Sequence, residues 1–150
     1  MRKPMLAVMA ALVVCAAVYG EEAKTEKKSG CCCGAETRSF GCIDTKGLKA
    51  LIDAKAPMVL LDTRAGKFDD GQRIDGAKQI SPEASDAEIM AVAPSKDALV
   101  VAYCTNLKCP ASKMLAEKMI SLGYKNVVKY PGGIEEWLKA GNKAEKGAKP

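Results

Sequence analysis

Histidine is absent from this 150-residue chain. That absence removes the commonest general base and metal ligand, and with them triad hydrolysis and Cys-His catalysis. Aromatic residues are scarce at 5%. No aromatic or arginine stripe accompanies the formal charge of +5, so the basic balance reads as solubility rather than nucleic-acid binding. No apolar run reaches the roughly 20 residues of a membrane helix. The apolar stretch at 5–18 follows Arg2 and Lys3 and gives way to Gly20 and then to charge at Glu21. It reads as an export signal over residues 1–20, leaving a periplasmic or extracellular protein with no stable membrane insertion. Losing Arg2 and Lys3 lowers the charge by two, to +3. Cys15 follows Leu12-Val13-Val14, a faint likeness to a lipidation site, but Val14 is too large for the position before such a cysteine.

Cysteine, by contrast, is plentiful. Of seven, six lie beyond the signal: Cys31, Cys32, Cys33, Cys42, Cys104 and Cys109. In an oxidising compartment each is a candidate for pairing. Cys31, Cys32, Cys33 and Cys42 lack the two-to-four-residue separations of zinc ligands. Disulfides among themselves or to another chain fit them better than a metal, with a soft ion such as Cu(I) as the alternative.

The charged stretch from Glu21 opens a flexible linker over 21–39, and a lysine-rich, disordered tail is expected over 142–150. Residues 40–141 form about 100 residues of patterned sequence, enough for one modest domain. Strands are expected at 40–43, 58–61 (ending at Asp62), 77–80, 99–103 and 126–129. Helices are expected at 46–54, capped by Asp44 or Thr45; at 82–91, capped by Ser81; at 110–122, with Met114, Leu115, Met119 and Leu122 on its apolar face; and at 134–140. Between Thr63 and Asp75 the sequence reads as a loop with at most one helical turn. Alternating buried strands and helices imply an α/β domain with a central, mostly parallel sheet, whose ligands belong at the carboxyl ends of its strands.

One stretch concentrates the chemistry. Leu99-Val100-Val101-Ala102-Tyr103 delivers Cys104 to a strand end, and a second thiol, Cys109, stands just before Pro110 and the next helix. Backbone N–H groups and a helix N-terminus around such a cysteine lower its pKa from roughly 8.5 and favour the reactive thiolate. Cys109 is open to three readings: a redox or sulfur-relay thiol, a structural disulfide partner, or an inert cap.

Five segments in order resemble the rhodanese-like family. Val59-Leu60-Leu61-Asp62-Thr63-Arg64 resembles its hydrophobic-D-x-R entry, and Gly71-Gln72-Arg73-Ile74-Asp75-Gly76-Ala77 its G-H-I-P-G-A segment. Val100 to Cys104 is similar to the nucleophile strand, Leu122 to Val127 to the helix exit, and Gly132-Gly133-Ile134-Glu135-Glu136-Trp137 to the terminal G-G-x-x-x-W. The resemblance implies a three-layer domain in which Cys104 carries sulfane sulfur as a persulfide. It implies that Thr105, Asn106, Leu107, Lys108 and Cys109 form the loop that cradles it, with no cofactor. Asp62 and Arg64 are read as an ion pair supporting the loop. The partners implied are a small sulfur donor and a thiol acceptor, low-molecular-weight or protein. The six-residue loop resembles the sulfur-handling branch; related phosphatases and arsenate reductases use one residue more.

There are three departures from the family pattern. Cys109 stands where an anion-binding arginine is common, which puts ordinary thiosulfate chemistry in doubt, although Lys108 adds positive charge. Gln72 and Arg73 replace a glycine–histidine pair, and Lys67 replaces a glutamate before Phe68. Sulfur transfer through Cys104 is the leading reading. The alternatives are a thiol–disulfide or polysulfide reductase using Cys104 and Cys109, and a non-enzymatic sulfur or thiophilic-metal binding module.

Overall fold

The computed structural model describes residues 40–146. The expected signal and linker, Cys15, and Cys31, Cys32 and Cys33 lie outside these residues. Five strands form a parallel sheet: β1 (Gly41–Cys42), β2 (Met58–Asp62), β4 (Lys78–Gln79), β5 (Leu99–Tyr103) and β6 (Asn126–Tyr130), ordered β1-β6-β5-β2-β4. A separate antiparallel pair joins β3 (Gln72–Arg73) to β7 (Glu145–Lys146). Four helices cover the sheet: α1 (Thr45–Asp53), α2 (Asp86–Val92), α3 (Ala111–Ser121) and α4 (Gly133–Lys139).

Strand alternation divides the core between the two faces. Leu61, Val100, Ala102 and Val127 meet Ile89 of α2 and Leu115 and Met119 of α3. Leu60, Val101, Tyr103 and Tyr130 meet Leu48 of α1 and Ile134 and Trp137 of α4. The central strand β5 is buried on both faces from Val100 to Tyr103, as its continuous apolar run requires.

Three details differ from the sequence reading. Helix α2 is capped by Ser85, not Ser81: Ser85 and Glu88 form a reciprocal capping box, while Ser81 accepts from the Glu83 N–H in the preceding turn. On α3 the core face carries Ser112 and Ala116 with Leu115 and Met119, while Met114 is 48% exposed. Residues 142–146 are not a structureless tail. The Trp137 indole donates to the Lys143 carbonyl, Ala144 packs on the α1/α4 core, and β7 supplies the ladder partner for β3.

Candidate active site

The carboxyl ends of β2 and β5 are tied together by side chains. Register places Asp62 beside Tyr103. The Tyr103 hydroxyl donates to Asp62 Oδ2 at 3.0 Å and accepts from the Ile74 N–H at 3.1 Å. Thr63 donates its N–H and its hydroxyl to the Tyr103 carbonyl, at 2.9 and 2.8 Å. The residue immediately before Cys104 is therefore anchored from both sides. Burial, reinforced by the neighbouring Asp62 charge, drives the Tyr103 phenol far above its ordinary value, so it stays a neutral donor.

Asp62 is fully buried and is the hub of this platform. It accepts from the Arg64 backbone N–H at 3.0 Å and from the Arg64 guanidinium at 2.9–3.2 Å, and Arg73 Nε stands 3.8 Å away. Arg64 also donates to Asp70 and to the Gln72 carbonyl, and Arg73 pairs with Asp69. Burial works against the Arg64 charge, but the bonds to Asp62 and Asp70 more than offset it and hold the guanidinium fixed as a cation. The departure at Gln72 and Arg73 from the family pattern points to altered ion pairing, and Arg73 is indeed part of the network. Sequence reasoning does not reach Asp69, Asp70 and Tyr103 as its members; the polar run Asp69-Asp70 before Gly71 is the local signal for the first two.

Asp70 makes one consequence measurable. Partial burial raises its pKa, but the Gln72 N–H and the Arg64 guanidinium win and hold the carboxyl below its ordinary value of 3.8. Its contribution to stability is therefore complete above that value and is lost as pH falls through the lower folded value. Denaturation midpoints measured from pH 6 down to about pH 2 should fall less steeply in Asp70→Asn than in the parent.

The loop begins where β5 ends. Cys104 is 2% exposed, and its sulfur is joined to Cys109 in a disulfide with the Cα atoms 6.3 Å apart. The bond is common to the redox reading and the structural-disulfide reading of Cys109. Asn106 organises the turn between them. Its side-chain oxygen accepts from the Lys108 N–H, its carbonyl accepts from the Cys109 N–H, and its amide donates to Glu135 at 2.9 Å. Two amides expected in the sulfur cradle are thus used within the loop.

The other loop peptides are set by α4. Its Ile134 and Glu135 N–H groups donate to the Cys104 and Thr105 carbonyls, at 3.0 and 3.1 Å. All described peptides are trans, so the N–H groups of Thr105 and Asn106 point away from α4. This approach requires glycine at 133, where φ is +64° and a Cβ would strike both carbonyls. Gly133→Ala should cost about 2–5 kcal/mol, from the left-handed backbone plus overpacking, read as a lower thermal midpoint.

A cavity of about 530 Å³ opens over the loop. Cys104, Thr105, Asn106, Lys108 and Cys109 line it together with Arg64, Ala65, Phe68, Pro82 and Glu83. Leu107 does not line it and is 56% exposed. Phe68 is 63% exposed, with the Lys67 ammonium 5.2 Å from its ring centre. Cys42 lies outside the cavity on edge strand β1, in register with Lys129. Among the described residues, no three Cys, Asp or Glu side chains group as metal ligands.

The sequence profile of the Rhodanese-like domain matches residues 44–140. The chain belongs to the rhodanese-like domain family. Solved structures share its fold at low identity. BH2092 protein from Bacillus halodurans is 24% identical, with a TM-score of 0.63 over 71% of this chain and 77% of its own. The single-domain sulfurtransferase RDL2 of Saccharomyces cerevisiae is 23% identical, with a TM-score of 0.57 over 71% of this chain and 95% of its own. A thiosulfate sulfurtransferase from Pseudomonas aeruginosa is 20% identical, with a TM-score of 0.61 over 73% of this chain and 21% of its own. No curated protein sequence matches the chain. The parallel five-stranded sheet flanked by helices is the rhodanese-like fold expected from the five motifs.

Proposed function

We propose that this rhodanese-like domain is a sulfurtransferase that moves sulfane sulfur from a small donor to a thiol acceptor through a persulfide on Cys104. The placement of Cys104 carries the reading. It ends the central strand, is almost wholly buried, and lines a cavity of small-molecule size.

In the reduced site the Cys104 thiolate attacks the outer sulfur of the donor. The remainder of the donor leaves as an anion, and the new sulfur stays on Cys104 as a persulfide. The Thr105 and Asn106 N–H groups, directed away from α4, are suited to support its negative charge, with the exposed Lys108 ammonium at the rim. Arg64 also lines the cavity, but its charge is committed to Asp62 and Asp70. An acceptor thiolate then attacks the outer sulfur, and Cys104 departs as thiolate. Both half-reactions exchange one sulfur anion for another, so the chemistry needs no histidine base.

Export belongs to the same proposal: the apolar stretch at 5–18 supports it, and an oxidising compartment suits the paired loop cysteines.

A persulfide intermediate predicts double-displacement kinetics. With pre-reduced protein, thiosulfate or polysulfide as donor and a small thiol as acceptor, double-reciprocal plots at several acceptor concentrations should be parallel. Converging lines would mean that both substrates bind before any sulfur moves, against the proposal.

A further inference from the structure

We infer that Cys109 is a resolving thiol that discharges the Cys104 persulfide as hydrosulfide, and that a dithiol reductant then reopens the loop by attacking Cys109. The inference rests on the persulfide reading of Cys104. It adds a reductive activity to the same site: a bound sulfane sulfur is either passed to an acceptor or released as HS⁻.

Loop geometry is the first observation. Cys104 and Cys109 are bonded with their Cα atoms 6.3 Å apart, inside the span of ordinary disulfides, so the folded loop already brings the sulfurs together. Asn106 holds that turn through the Lys108 and Cys109 N–H groups and is itself fastened to Glu135. A thiol presented this way meets Cys104 Sγ as an intramolecular nucleophile, with the large advantage in effective concentration that such placement gives.

Unequal burial is the second. Cys104 is 2% exposed, whereas Cys109 is half-buried. Cys104 Sγ is thus reached from the cavity, while Cys109 presents the more accessible sulfur of the pair to a thiol arriving from solvent. Held beside Cys104 Sγ, the internal thiol outcompetes solvent thiols for discharge there.

Cys109, having lost its proton, attacks Cys104 Sγ as thiolate. The Sγ–Sγ bond forms as the bond from Cys104 Sγ to the outer sulfur breaks. The outer sulfur leaves with the electron pair and takes up the proton, giving HS⁻. Two electrons have passed to the sulfane sulfur, and the thiol pair has become a disulfide.

Reopening requires an external dithiol. Its first thiolate attacks the more accessible Cys109 Sγ, the disulfide breaks, and Cys104 leaves as thiolate. The second thiol of the reductant then displaces Cys109 and carries away the disulfide. The bond between Cys104 and Cys109 is in this account a product of turnover, and the accessibility difference sets its polarity so that reduction regenerates the nucleophile first.

The test is a single turnover with the full chain. Protein reduced with dithiothreitol and desalted is loaded with glutathione persulfide and desalted again. It is then followed without added thiol by intact mass, peptide mapping and hydrosulfide assay. The parent should lose its added sulfur, release one hydrosulfide per loaded chain and acquire the Cys104–Cys109 disulfide. Cys109→Ser and Cys109→Ala should both keep the added sulfur on Cys104 and lose hydrosulfide release. If they release it as fast as the parent, or if the parent keeps its persulfide, the resolving role is overturned while the persulfide stands. If no protein takes up sulfur on Cys104, the underlying persulfide reading fails. A second arm treats the oxidised parent with glutathione and maps the mixed disulfide. Glutathione on Cys109 supports the polarity, and glutathione on Cys104 overturns it.

Discussion

Replacing Asp62 with alanine is expected to destabilise the domain by about 3–5 kcal/mol, the range for removing one partner from a buried ion pair. Asp62 is wholly buried and Arg64 is 1% exposed at its side chain, so solvent cannot replace what the substitution removes. The Arg64 guanidinium would keep Asp70, itself 53% exposed, and the Gln72 carbonyl, but lose its fully buried counter-charge. Tyr103 would lose the acceptor for its hydroxyl. Against the 5–15 kcal/mol that holds a typical domain together, this loss is large. Chemical denaturation of the parent and Asp62→Ala would read it directly; a difference below about 1 kcal/mol would contradict the network's structural role. Asp62→Asn keeps the shape and should fall between the two. Because Tyr103, anchored by Asp62 and Thr63, is the residue preceding Cys104, surviving Asp62 variants should also react more slowly at Cys104.

Cys104→Ser should abolish sulfur transfer. A serine hydroxyl cannot hold sulfane sulfur as a persulfide, and its oxygen is a far weaker nucleophile near neutral pH than a thiolate. The transfer rate should fall by at least about a thousandfold, to that of donor and acceptor alone. The exchange is close to isosteric at a 2% exposed position, so the fold should persist. Comparison in reducing buffer, with the loop bond open in both proteins, separates loss of the nucleophile from loss of the disulfide. A serine variant retaining a substantial fraction of the parent rate would move the chemistry away from Cys104.

The parts legible in the sequence were those written in local pattern. β2 and β5 are short apolar runs because both sheet faces cover them, and that burial marks them without knowledge of their partners. Asp44 was one of two candidate caps for α1, and the structure selects it through the Gly47 N–H. Gly132-Gly133 was visible as a motif, but its physical reason was not: only the folded chain brings the Cys104 and Thr105 carbonyls against α4. The same limit hid the β3–β7 pair. Two-residue strands carry no period, and their pairing is decided by how residues 72–73 and 145–146 meet. Met114 misled because it falls near the apolar positions of α3, while the smaller Ser112 and Ala116 take the buried places beside Leu115 and Met119. In the loop, chain order placed Cys104 and Cys109 at its two ends, but the use of Lys108 and Cys109 amides by Asn106 depends on a turn that no local pattern announces.

The central claim concerns one sulfur atom on one side chain. Reduced full-length protein incubated with thiosulfate or polysulfide, quenched by alkylation and measured by intact mass with peptide mapping, tests it most directly, with Cys109→Ser run alongside so that discharge does not erase the adduct. A gain of one sulfur atom, located on Cys104 and absent from Cys104→Ser, is expected. No gain with either donor, or the same gain in Cys104→Ser, would contradict it.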